Sequence, residues 1–370
     1  MLTRLPTVQA RHRAAAQPIG AASGRSRPHR SYSRRMKRSI ARQTLLTPLV
    51  ALLLAAALAA AAGEPADSSP SYGTEFWDHW GDGQAEIAAY ELIEPRYGAE
   101  RRGTAVAIFV TEDFSEADRV KAETAQGERA QGEQAQSEKA TGDRFPVIKL
   151  NLVRDFPTGI YDYNLMTSAF VALAPILGRP AGAPTKVSFS AQEWCGHAYH
   201  QLLFDRERVR SQLHSYFEGE ADRDATLDAP ADVGSEDALL LWARRLAYPV
   251  VAPGEERTSR VVSSVARARL EHQPETVTEV RLLRSAKSYT LEVPAGTFLV
   301  RQAWAILGDA KWSFSVEARH PHRIVAWQSP SGEKASLVGS DRVAYWKLNA
   351  PGDEAALERI GLSPRPALTP

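Results

Sequence analysis

One short stretch gathers the side chains best suited to covalent chemistry. Lys186–Asp205, KVSFSAQEWCGHAYHQLLFD, holds the only cysteine, Cys195, and two of the nine histidines, His197 and His200. Taken as one strand over Val187–Phe204, its alternation puts Glu193, Cys195, His197 and Tyr199 on one face, with Trp194, Gly196, Ala198 and His200 on the other. A thiol and an imidazole on one face form a nucleophile and a base, with Glu193 to orient the imidazole. That is the chemistry of a Cys/His-dependent hydrolase or transferase. With His214 added, the same groups offer sulfur and nitrogen to a transition metal. A structural role competes with both, Cys195 being a small buried hydrophobe and His197 a hydrogen-bonded partner. On an inward face such a thiol is expected to label slowly until the protein is unfolded. No CxxC, HExxH or GxSxG pattern accompanies it.

Other candidates are weaker in chemistry. Asp78–Gly83, DHWGDG, has Trp80 where a calcium loop needs an oxygen ligand. Arg319–Arg323, RHPHR, reads as a turn that holds an anion or a metal, or as a solvated hairpin tip. Trp304, Trp312 and Trp327 sit in alternating runs, where tryptophan fills a core or, with Trp194 and Tyr199, lines a ligand cavity. No pattern points to a cofactor or to a resident metal.

The elements that must position these residues are mostly strands. Alternation predicts strands at Glu86–Glu94, Thr104–Glu112, Phe145–Phe156, Ile160–Leu173, the cysteine-bearing run and Arg208–Glu218, with Pro/Gly turns between them. The C-terminal third predicts seven more: Val277–Leu283, Ser288–Val293, Thr297–Leu307, Lys311–Ala318, Arg323–Ser329, Lys334–Gly339 and Arg342–Leu348. The clearest helix is Glu236–Ala247, with Ser235 as N-cap and Arg244 and Arg245 late. Arg257–Leu270 fits strand or helix, Phe76–Gly83 reads as an aromatic turn, and Glu354–Ile360 closes the chain as a short helix. Thr124–Asp143 is four tandem pentapeptides without a large apolar side chain, which predicts a disordered insert at 117–144. So many strands predict a mainly β fold: a large antiparallel sheet curled into a barrel or half-barrel, with one or two packing helices.

Charge divides the chain of 370 residues. Residues 1–44 carry eleven Lys/Arg and no acid, leaving 34 of the 45 basic residues to face all 44 acidic ones. The acidic body argues against nucleic acid as a partner. Leu45–Ala62, LLTPLVALLLAAALAAAA, follows the basic cluster from Arg34 to Arg42 and ends in small residues, the order of a secretory signal; an uncleaved anchor is the alternative. MKRSIARQ from Met36 makes an ordinary signal start. The expected organisation is a targeting segment at 1–62, a linker at 63–75, the β domain at 76–350, and a short helix and tail at 351–370. An exported chain with one cysteine has no internal disulfide, so its stability rests on its core.

Several runs carry a resemblance: WDHWGDGQAE, GTAVAIFVTEDFS, NLVRDFPTGIYDYNLMTS, VSFSAQEWCGH, VPAGTFLVRQ and HPHRIVAWQSPSGEKASLVGSDRVAYW. Together they resemble an uncharacterised family of exported bacterial proteins, sometimes labelled septum formation inhibitor Maf. The resemblance implies export. It implies no nucleotide pyrophosphatase activity, because the Ser-x-Ser-Pro-Arg-Arg loop of true Maf proteins is absent. The C-terminal β region is also similar in pattern to periplasmic lipoprotein carriers, whose half-barrels hold acyl chains. The expected function is a non-enzymatic, periplasmic or secreted binding module for an apolar ligand or an envelope protein. It would touch membrane only through an uncleaved N-terminal segment. The alternatives are the Cys/His enzyme and a metal-binding protein.

Overall fold

The computed structural model describes residues 68–122 and 143–364. The apolar run and the pentapeptides, apart from Asp143, lie outside them. Helix α1 (Thr74–Trp80) leads into β1 (Ala85–Arg96), β2 (Ala99–Ser115), β3 (Arg144–Thr158) and β4 (Tyr161–Ala172). There follow β5 (Pro184–Glu193), β6 (Gly196–Phe204), β7 (Arg208–Ser215), β8 (Arg223–Asp228) and the two-residue β9 (Gly234–Ser235). Beyond a 3-10 turn at Glu236–Ala238 come α2 (Leu239–Ala243), β10 (Glu256–Val262) and α3 (Val265–Glu271). The chain closes its sheet with β11 (Val277–Val293), β12 (Gly296–Leu307), β13 (Ala310–Glu317), β14 (Ile324–Gln328) and β15 (Lys334–Val343).

The fifteen strands of the described residues form one sheet in the order 8-7-6-5-4-3-2-1-15-14-13-12-11-10-9. The mainly β, antiparallel expectation holds, the only parallel pairing among the described residues being β9 with β10. Two meandering wings meet where β1 pairs with β15, Glu86 opposite Arg342 and Leu92 opposite Ala335. Hydrogen bonding leaves the sheet open at β8 and β9.

Period-2 patterning selects the faces. On β3, Ile148, Leu150, Leu152, Arg154 and Phe156 are buried on one side, as their alternation requires. That side of both wings touches the segment between β9 and β11: the 3-10 turn meets β4, α3 meets β5, and α2 meets β12 and β13. Leu239, Leu240, Leu241 and Trp242 are accordingly all buried. A helix apolar all round needs cover on every side, and the sheet supplies it.

Several boundaries differ from the sequence expectation. The run Val187–Phe204 is two strands, because Trp194–Cys195 is a two-residue turn with Glu193 opposite Gly196. Residues paired across such a turn share a face, so parity flips: odd positions point inward on β5 and even ones on β6. The helix expected over Glu236–Ala247 stops at Ala243, since Arg245 takes a left-handed φ of 67°. Ser235 does cap it, accepting from the Asp237 N–H. The ambiguous Arg257–Leu270 contains both elements, β10 and the Ser264-capped α3. Val277–Leu283 and Ser288–Val293 merge into β11, with a register shift between Arg284 and Ser288. Phe76–Trp80 falls in α1 rather than a turn, while Tyr345–Lys347 and Asp353–Ile360 are 3-10 turns.

Candidate functional site

A cavity of about 290 Å³ opens on the inner face, at the end of the sheet where β1 turns into β2. The end of β1 brings Glu94 and Arg96 to it, β3 brings Leu152 and Arg154, β13 brings Trp312, and the β14–β15 turn brings Glu333. The opposite wall is Glu236 and Asp237 of the 3-10 turn with the first turns of α3. Trp312 stacks on Phe314 at 5.7 Å, which holds its indole flat against the wall.

The lining combines apolar surface with five carboxylates (Glu94, Glu236, Asp237, Glu271, Glu333) and three guanidinium groups (Arg96, Arg154, Arg267). Arg154 Nη1 donates to Glu94 Oε2 at 3.3 Å and also to Glu333, whose other oxygen accepts from the Trp327 indole. Glu236 is saturated: it accepts from Trp312 Nε1 at 2.9 Å, the Ser264 N–H at 2.9 Å and Arg267 Nη2 at 2.7 Å. Asp237 accepts from Ser264 Oγ at 2.6 Å and the Val265 N–H at 2.9 Å. Two of these acids hold protons far more tightly than usual. Burial pushes the Asp237 carboxyl up to about 6, against the lowering effect of Ser264 and Val265. Burial likewise raises Glu94 to about 7, with Arg154 opposing and the Glu333 carboxylate reinforcing. Near neutrality the cavity wall can take up or release a proton, or accept a cation in its place.

The residues singled out from the sequence are dispersed. Cys195 is exposed at the tip of the β5–β6 hairpin, not shielded in mid-strand. His197 is exposed on the outer face, while Glu193 turns inward and accepts from Arg269 Nη2 at 3.3 Å. The parity flip thus separates the carboxylate from the imidazole, and the relay expected of Glu193, His197 and Cys195 is not assembled. His214 pairs with Asp222 at 2.8 Å. Among the described residues no three His, Cys, Asp or Glu side chains cluster as metal ligands. Trp194 is 73% exposed beside Cys195, and Tyr199 lies on the outer face, donating to Gln201 at 3.0 Å. Of the tryptophans, Trp312 lines the cavity, Trp327 is buried behind it and Trp304 packs outside under Lys311.

Sequence reasoning passed over the acids that matter here. Glu94, Glu236 and Asp237 sit beside Pro95 and in a helix's first turn, where acids are ordinary, and Glu333 sits in a turn. The available signal was inward parity: Glu86 and Glu94 fall on the same face as Ala88, Tyr90 and Leu92. A second buried cluster was equally silent. His200 Nε2 lies 2.9 Å from Ser211 Oγ and also contacts Glu275, to which Ser211 donates at 2.9 Å and Arg223 donates through Nη2. Burial alone would raise Glu275, but His200, with Ser211, outweighs it and holds the carboxyl at about 2. Serine and carboxylate share one ring nitrogen, whereas a catalytic relay places them on opposite nitrogens. This cluster is a buried hydrogen-bond network tying β6 and β7 to the stretch before β11.

What fold and site define together is an antiparallel β protein with a charged inner cavity. No family model matches the chain, and no curated protein or solved structure matches it either.

Proposed function

We propose that the protein is an exported, non-enzymatic binding module, its sheet curled as a half-barrel around the segment between β9 and β11. Its ligand is a small amphipathic organic cation, seated in the cavity of about 290 Å³. The observation that carries this reading is the lining: an acidic excess of two charges, with Asp237 and Glu94 poised near neutrality beside the flat indole of Trp312. An ammonium or guanidinium group would replace the proton on these acids while an apolar ring or chain covers Trp312, Leu152 and Leu240. The apolar ligand expected from the sequence thereby acquires a charged head. Export rests on the basic cluster and the apolar run Leu45–Ala62.

Titration calorimetry with phenethylammonium, glucosamine and spermidine as probes tests the reading. Binding is expected to strengthen as pH rises from 5 to 8, because the cation needs the ionised acids, and to be lost in Asp237→Asn combined with Glu94→Gln. Heats absent for every cation, or unchanged in that variant, refute it.

A further inference from the structure

The hairpin tips of one wing form an aromatic rim. Ile160 (84%), Trp194 (73%), Tyr216 (71%) and Tyr97 (59%) are the most exposed large hydrophobic residues of the described chain. They occupy four alternate hairpin connections, β1–β2, β3–β4, β5–β6 and β7–β8, which all lie at the end where the cavity opens. Burial gives them no reason to be apolar.

Tyr161 and Trp194 are neighbours in the rim, with ring centroids 6.1 Å apart, and the buried Tyr163 beneath links them to Tyr97, at 6.0 Å from Tyr161 and 6.4 Å from Tyr97. Tyr216 continues the rim by lying over Gly196, where a Cβ would stand 2.5 Å from its ring. Neighbouring strands are about 4.8 Å apart, so four tips span roughly 30 Å. That is long for a small ligand. The turns Tyr97–Gly98, Gly159–Ile160 and Trp194–Cys195 carry no charge, while the β7–β8 connection that holds Tyr216 also carries Glu218, Glu220 and Asp222, so the uncharged stretch runs from β1 to β6 with the Tyr216 ring at its edge.

We propose that this rim docks the protein on the interfacial layer of a lipid bilayer. The four tips lie at one end of the sheet, so they can meet one extended surface together. Tyrosine and tryptophan, apolar in body with a polar edge, settle at headgroup depth, and Ile160 reaches past them toward the acyl chains. Three uncharged turns from β1 to β6, on an acidic body, favour insertion over electrostatic adsorption. The surface is continuous with the ligand site: Arg96, a cavity residue, lies 4.7 Å over the Tyr97 ring and 5.2 Å over Tyr163. Docking would present the cavity mouth to the membrane.

Cys195 supplies the probe, being the only thiol and standing at the rim. The full chain, carrying a polarity-sensitive fluorophore on Cys195, is mixed with vesicles of phosphatidylcholine and phosphatidylethanolamine. The expected result is a blue shift that survives high salt, with partitioning reduced roughly tenfold or more in Ile160→Ser combined with Tyr216→Ser. Both positions are exposed, so circular dichroism of the variant should match the parent. The proposal is overturned by vesicle association without a spectral change at Cys195, by association abolished in salt, or by no association. A shift produced by lipid-free envelope protein and not by vesicles overturns it too.

Discussion

Asp237→Asn exchanges a buried carboxylate for a neutral group of the same shape. The structure predicts that this stabilises the protein at high pH and does little at low pH. Asp237 titrates at 3.8 in an unfolded chain and at about 6 in the fold. At roughly 1.4 kcal/mol per tenfold change in proton affinity, the ionised form is disfavoured by about 3 kcal/mol on folding. The folded pKa is raised, so the native state binds the extra proton. The corresponding stability is fully present below pH 3.8 and is lost as pH rises through about 6. Asparagine can keep both contacts, its carbonyl accepting from the Val265 N–H and its amide donating to Ser264 Oγ. Urea unfolding of parent and variant at pH 8 and pH 4 should then show a stability difference that changes by about 2.4 kcal/mol between the two, because pH 4 lies just above the unfolded value. Comparing two pH values cancels any packing cost of the substitution. A difference independent of pH would refute the buried-acid account and remove the main support for a cation site.

Glu86→Gln should cost about 3–5 kcal/mol, since it strands Arg244, which donates to the two Glu86 oxygens at 2.6 and 2.9 Å in full burial; thermal unfolding near neutral pH measures it. Burial alone would raise the Glu86 carboxyl, but Arg244 and then His79 outweigh it and hold it at about 2, so its contribution should vanish as pH falls from 4.5 through 2. Maleimide should label Cys195 in the native protein about as fast as in urea and equally fast in His197→Ala, while Cys195→Ser shifts stability by less than about 0.5 kcal/mol. A lag until denaturant is added would show the thiol to be covered.

Strand existence was legible because inward and outward residues alternate through β2, β3 and β4 with little interruption. The hairpin at Trp194–Cys195 was not, because the residues around it alternate in type on both sides of the turn, and only Gly196 marks the break. The reactive-looking trio Glu193, Cys195 and His197 was an artefact of that missed turn. The cavity stayed hidden for another reason. Its acids come from β1, the 3-10 turn and the β14–β15 turn, more than 230 residues apart at the extremes, and nothing local distinguishes an acid that tertiary packing will bury. Trp312 was singled out from the sequence and borders the cavity, but its partner Glu236 looked like an ordinary first-turn acid.

The seam between β1 and β15 has a consequence for how the molecule can be divided. Thirteen of the fourteen strand pairings join neighbours in sequence, and the fourteenth brings the start of the sheet to its finish. No ladder crosses between β8 and β9, so the polypeptide link at Ala229–Val233 carries no strand pairing. Two separately made pieces, ending and beginning there, would each own a complete meander with one newly unpaired edge, β1 on the first and β15 on the second, besides the β8 and β9 edges that are open in the whole sheet. The two new edges are complementary, and the second piece also brings α2 and α3 to the first. The fold is thereby a ready-made split reporter, whose halves regain a continuous sheet only when they find each other.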